Sequence, residues 1–331
     1  MIASSKNKHQ KQINQLHIDF NISEKTQALI RELEEKSEKE IKIKNKKEYA
    51  NPLIVQQAKA FIDKESNQYI IYVGSDIDNH TLAHEVIHPL LELKGYLGTS
   101  TGCINKNIEQ ALKYFAGSLT SFILDQYVDY EMKLKGYDLV RYYDNEGPIV
   151  IDKLKSSSMG DSDPFEIVEN AILYAVDIFR YKKQREEIEI FFRTNLPNGY
   201  KLGREIYKEM DVKNSNPVKC QLQIKKVIVT VDNFFESCNI SNRIGKWTEF
   251  VPILEEEVLR ESWKMHLEFK VEYVYNRNII KFYNIKNHLL YKIKLPPPQL
   301  SPEKIVNVLN QYESYNLKEF LEINDIFYFQ L

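Results

Sequence analysis

"TLAHEVIHPLLELKG", residues 81–95, is the stretch on which the reading of this chain turns. It contains H-E-V-I-H, two histidines four positions apart with a glutamate directly after the first. On an α-helix, residues i and i+4 lie one turn apart on the same face, so His84 and His88 can aim ring nitrogens at one ion. Around the same helix Ala83, Val86, Ile87 and Leu90 form an apolar arc, while His84 and His88 point away from its centre and Glu85 is farther still. Such a helix packs its back on a core and shows its histidines to a cleft. Asp78 or Asn79 is placed to cap its start, and Gly95 its end.

This spacing has chemical content. A catalytic zinc keeps three protein ligands and leaves a fourth position to water, whose pKa falls to about 7. Glu85 stands about 100° round the helix from His84 at 3.6 residues per turn, placed to take a proton from that water rather than to bind the ion. Glu85 is therefore the expected general base, His84 and His88 the expected metal ligands, and Zn2+ the expected cofactor.

A third ligand is needed, and a second long helix, "NKNIEQALKYFAGSLTSFILDQYVDYEMKLKG", supplies one. Its apolar stripe runs Ile108, Leu112, Phe115, Leu119, Phe122, and the next positions on that stripe are Asp125 and Asp129. A buried carboxylate is costly unless it is paired or binds a metal, so acidic residues that continue a core face point to a cation opposite. We expect Asp125 as the third ligand and Asp129, one turn on, as the acceptor that holds a histidine's other ring nitrogen. The two roles exchanged, or a helix end that emerges into water with Asp125, Asp129 and Glu131, are the alternatives. His80 also pairs with His84 at ligand spacing, but the glutamate follows His84, so His80 reads as a surface residue at the helix start. Tyr142, Tyr143 and His266 are available as donors to a reacting carbonyl oxygen, or as packed aromatics and a surface histidine.

"TLAHEVIHPLL" after a hairpin strand, with "LDQYVD" on a later helix, resembles the zincin metallopeptidases, in the gluzincin-type arrangement whose third ligand comes from a separate downstream helix. The "TLAHE" opening is also similar to intracellular zincins that act on phage repressors and stress regulators. The likeness covers about residues 23–140. It implies a sheet whose edge strand, here "QYIIYVG" (68–74), receives an extended peptide by strand addition, a polypeptide substrate, and hydrolysis by metal-activated water. The sequence departs from the pattern in three places: aspartate stands where glutamate is usual, "HPLLELKGYLG" has no third histidine, and Pro89 follows His88 directly.

Beyond the motif, 331 residues suffice for one large domain or two, and 45 basic against 47 acidic side chains give no reason to expect nucleic acid or an anionic membrane as a partner. The lysine-rich "IKIKNKK" (41–47) reads as a solvated helix end. Three cysteines at wide spacing, Cys103, Cys220 and Cys238, fit neither a disulfide framework nor a zinc ribbon and indicate a reducing compartment. The first twenty residues lack the apolar core of a secretory signal, and no segment approaches the roughly 18 apolar residues of a membrane span. The expectation is a cytoplasmic protein.

The spacing predicts a helix over 23–44 capped by Ser23, a hairpin of 53–62 with 68–74, and further helices near 164–193, 217–235 and 248–265. Strands and a Ser-Pro-Glu helix start at 301 follow. The expected fold is mainly helical α+β. Its divisions are a polar tail (1–22), a zincin-like domain with helical extension (23–266) and an accessory α+β module (267–331). Two function classes follow: a zinc-dependent metallopeptidase acting on protein or peptide, or a non-catalytic interaction protein whose H-E-x-x-H helix is fortuitous or holds a structural metal.

Overall fold

In the computed structural model the described residues are 22–45, 58–63, 66–74, 77–101, 106–210, 216–240, 244–251, 253–274, 277–284, 290–294, 301–324, 326 and 328–330. The chain divides into two compact units, one of residues 1–96 with 124–145, the other of 97–123 with 146–331. Most of the expected tail, Cys103, and residues 53–57 of the hairpin lie outside the described residues. Among the described residues no helix is long and apolar enough to cross a membrane.

The first unit opens with helix α1 (Glu24–Ser37), started by Ser23, whose hydroxyl accepts from the Thr26 amide at 3.3 Å. Its apolar face, Leu29, Ile30 and Leu33, is buried. The helix is shorter than the spacing predicts. The chain leaves it through Glu38 at φ 54° and enters strand β1 (Ile41–Asn45). The physical reason is a period of two: Ile41 and Ile43 are buried, and Lys42 and Lys44 between them stay partly exposed. The stretch 41–45 is thus a half-buried strand, not a helix end.

Strand β2 (Ala58–Asp63) and strand β3 (Gln68–Val73) form the antiparallel hairpin, with Ala60 opposite Ile71. Strand β1 adds to the other side of β3 in parallel, Ile43 opposite Ile71, so the order is β1-β3-β2. Strand β3 is therefore the middle strand, and β2 holds the edge that the resemblance gave to 68–74. Tyr69, Ile70, Ile71 and Val73 are all buried, as a strand covered on both faces requires.

Helix α2 (Asn79–Leu93) carries the motif. Asp78 caps it, accepting from the His80 and Thr81 amides at 2.8 Å each. Asn79 instead accepts from the Ser23 amide at 2.7 Å and so ties the start of α2 to the start of α1. At the other end Gly95 takes φ 88°, with Gly95 N–H to Glu92 O and Tyr96 N–H to Leu91 O, the paired bonds of a left-handed glycine cap. The helix runs through Pro89 to Leu93 without a break.

Helix α3 (Lys106–Leu134) closes in the same way, with Gly136 at φ 79° and Tyr137 N–H on Met132 O. It and helix α4 (Leu139–Ser156) contribute residues to both units. Helix α4 is not among the elements that the spacing predicts, and Gly147 and Pro148 both lie within it. The helix persists because Ile151 and Leu154 bury its apolar side and Gly147 leaves room for the Gln184 side chain.

The second unit is a helical assembly of α5 (Pro164–Arg180), α6 (Arg185–Asn195), α7 (Pro197–Lys208) and α8 (Pro217–Ser237). The expected helix at 164–193 is two, separated by a short turn at 182–184. Its core joins Ile151, Leu154, Tyr174, Ile178, Ile188, Phe192 and Leu196. Helix α7 approaches α5 closely at Gly203, where an added Cβ would sit 2.8 Å from the Ala171 carbonyl oxygen. The helix expected at 248–265 is absent. Thr248–Glu249 pairs with Ser100–Thr101, Ile253–Leu254 pairs with Phe329–Gln330, and one short helix spans Glu256–Arg260. Pro252, which lacks an amide donor, falls inside that stretch.

Strands β4 (Leu267–Val274), β5 (Arg277–Asn284) and β6 (Leu290–Lys294) form an antiparallel meander. Helix α9 (Pro302–Gln311), capped by Ser301, and helix α10 (Leu317–Ile323), started by an Asn316/Glu319 capping box, follow. The fold is mainly helical α+β, as expected.

Candidate metal centre

The H-E-V-I-H helix, Asp125, Asp129 and Tyr143 belong to the first unit. Leu82, Ala83, Val86, Ile87 and Leu90 are at most 3% exposed, so the arc read from the sequence is the buried back of α2. His84 and His88 stand on the other side with 20% and 29% of their side chains exposed. Both are partly open to solvent and partly fixed.

Asp125 comes from α3 to meet them. Its Oδ1 lies 3.5 Å from His84 Nε2 and 3.4 Å from His88 Nε2, and the two Nε2 atoms are 3.2 Å apart. These three edges make a nearly equilateral triangle. Bonds of about 2.0 to 2.1 Å from a tetrahedral zinc to nitrogen and carboxylate oxygen put ligand atoms roughly 3.3 to 3.4 Å from one another. The triangle therefore has the size that a tetrahedral ion requires, and the donor set, two imidazoles and one carboxylate, suits Zn2+. This is a gluzincin-type arrangement: a helical His/His pair and an acidic residue from a later helix, held together in space. Comparison with known proteins gives no matching family model, no matching curated protein and no matching solved structure.

Around the triangle the expected supporting residues fall into place unevenly. Asp129, 5% exposed, lies one turn beyond Asp125, and its Oδ1 is 3.9 Å from His84 Nδ1. That is longer than a hydrogen bond, but it sets a carboxylate on the ring nitrogen opposite the one in the triangle. Tyr143, near the start of α4, donates its single hydroxyl proton to Asp129, with Oδ1 at 2.9 Å and Oδ2 at 2.8 Å. A hydroxyl so engaged is not an available donor to a carbonyl oxygen, so the role considered for Tyr143 from sequence gives way to this one.

Glu85 faces the edge of the sheet, and its Oε2 accepts from the Ala60 amide of β2 at 3.1 Å. Burial pushes its pKa above the usual carboxylate value, against the pull of His88, His84 and the Ala60 amide. The carboxylate is thus held at one oxygen by the strand. Sequence spacing could not find this contact, because it is made by a backbone group.

His80 is not part of the set. Its ring stacks on Tyr142 at 4.1 Å and meets Tyr137 edge-on at 5.4 Å, with Nε2 buried and without a hydrogen-bond partner. Burial lowers its pKa, against the pull of Asp78, Asp129 and Asp138. The surface residue read from the sequence is a packed one. Tyr142 is consumed by the same stack, and His266 is buried and bonded to Glu261 Oε2 at 2.7 Å. A cavity of about 490 Å³ opens beside His80, lined among others by Lys25, Tyr137 and Arg141; the three triangle residues do not line it.

Proposed function

We propose that the chain is a zinc-dependent metallopeptidase that hydrolyses peptide bonds, with His84, His88 and Asp125 as metal ligands and Glu85 as general base. The observation that carries this reading is the triangle of Nε2, Nε2 and Oδ1 atoms with edges of 3.2 to 3.5 Å, sized for one tetrahedral ion. When bound, zinc lowers the pKa of a water to about 7 and polarises the carbonyl of the scissile bond.

The chain's own residues do the rest. Glu85, adjacent in sequence to a ligand and held by the edge strand, takes the water's proton and returns it to the departing amine. The Ala60 amide fixes Oε2, which leaves Oε1 to move the proton. Asp129 steadies the His84 ring from behind. Strand β2, the sheet edge from which Ala60 reaches Glu85, is where an extended peptide would add as a further strand. Residues 267–331 serve as an accessory module, and the working compartment is the cytoplasm.

The test uses the full chain, zinc-loaded, on a proteome-derived peptide library read by mass spectrometry. Wild type is expected to cleave, and Glu85→Gln to lose cleavage while retaining zinc. Equal cleavage by Glu85→Gln, or none by zinc-loaded wild type, overturns the peptidase reading.

A further inference from the structure

Tyr143 sits outside the ligand set, yet it touches Asp129, the carboxylate behind His84. We propose that Tyr143 is a positioning residue for the metal centre, acting through Asp129 on His84. This rests on the metal-site reading above.

The argument begins with what Asp129 needs. A carboxylate 5% exposed must find hydrogen-bond donors or lose its charge. It also has torsional freedom about its terminal bond, so burial alone does not decide which oxygen faces His84. Tyr143 answers both requirements. Its proton is shared almost evenly between Oδ1 and Oδ2, at 2.9 and 2.8 Å, which fixes the carboxylate plane. With that plane fixed, Oδ1 stands on the Nδ1 side of His84 at 3.9 Å. A proton on Nδ1 is the tautomer that frees Nε2 to bind a metal.

The start of α4 is itself fixed at two points. Tyr143 is the fifth residue of α4, a helix begun by Asp138, which accepts from the Arg141 amide at 3.1 Å. The neighbouring Tyr142 packs on His80, one turn before His84 on α2. The start of α4 therefore meets both α2 and α3, the two helices that bring the ligands.

The experiment is zinc affinity, measured by competition with a chromophoric chelator, on wild type, Tyr143→Phe, Asp129→Asn and the double variant. Asp129→Asn is expected to weaken zinc binding about 10- to 100-fold, the range for residues that orient a ligand. Tyr143→Phe, one step farther out, is expected to weaken it by several-fold, up to about tenfold. In the Asp129→Asn background Tyr143→Phe should have no further effect, since it acts through that carboxylate. Tyr142→Phe, which keeps its ring stack, should bind zinc as wild type does. A merely structural Tyr143 would lower the melting temperature of the metal-free protein and leave affinity unchanged, which overturns the proposal, as does a full additional loss in the double variant. If wild type binds no zinc, the metal-site reading fails together with it. Zinc-binding wild type with an unaffected Tyr143→Phe sinks this inference alone.

Discussion

Two buried aspartates, one in each unit, show what burial of a charge does and does not mean. Asp129 in α3 and Asp177 in α5 are 5% and 4% exposed, and each interrupts the apolar face of its helix. Asp129 accepts the Tyr143 hydroxyl on both oxygens and lies beside His84. Asp177 has its Oδ2 buried without a hydrogen-bond partner, and burial, opposed by Arg180, pushes its pKa up to about 7. A third case is Asp232, whose oxygens accept from the Ile244 and Gly245 amides at 2.6 and 2.8 Å and so start a short helix. Acidic residues on a core face are therefore not in themselves a sign of a cation. What marks the candidate metal centre is the convergence of partners on Asp125 and Asp129.

The comparison can be broken at its strongest point first. Glu85→Gln should reduce peptide hydrolysis by about 10²- to 10⁴-fold, the usual worth of a general base, with zinc content unchanged. An unaltered rate would remove the functional half of the contrast.

Next in size is the pH response of Asp177. Its folded pKa of about 7 is raised from 3.8, so between these values the folded state holds a proton that the unfolded state has lost. The stability associated with the neutral form is full below about pH 4 and is lost as pH rises through about 7, a change on the order of a few kcal/mol. Denaturant midpoints at pH 5 and pH 8 should thus fall for wild type by more than for Asp177→Asn, and the variant should be the more stable of the two at pH 8. A variant less stable than wild type at pH 8 would mean that Asp177 has a partner that matters and that the two carboxylates are alike.

A smaller effect belongs to the helical unit alone. Gly203→Ala places a methyl against the Ala171 carbonyl and should cost roughly 1 to 3 kcal/mol in urea unfolding. Zinc stoichiometry should not change, since Gly203 is remote in sequence and role from the ligand set; a parallel loss of metal would blur the distinction drawn between the units.

Much of the centre was legible because it depends on helical periodicity. The pair His84/His88, the arc of α2 and the step from Phe122 to Asp125 to Asp129 are all fixed by the rotation per residue. The glycine caps at Gly95 and Gly136 were legible for the same local reason. What the sequence did not disclose depends on tertiary contact. Strand β1 looked like a helix end because "IKIK" is short and charged, and only the pairing of Ile43 with Ile71 decides between the two. The order β1-β3-β2, the Ala60 amide on Glu85 and the engagement of Tyr143 by Asp129 join residues far apart in the chain, and spacing carries no information on them. Helix α4 carries Gly147 and Pro148, both poor helix formers, and the burial of Ile151 and Leu154 outweighs their cost.

The central claim is that His84, His88 and Asp125 hold one zinc. The most direct measurement is metal content by elemental mass spectrometry on protein purified without chelator or metal-binding tag, for wild type, His84→Ala and Asp125→Ala. About one zinc per wild-type chain, lost from both variants, is the predicted result. Wild type that takes up no metal even when zinc is supplied, or Asp125→Ala that keeps it fully, would contradict the account.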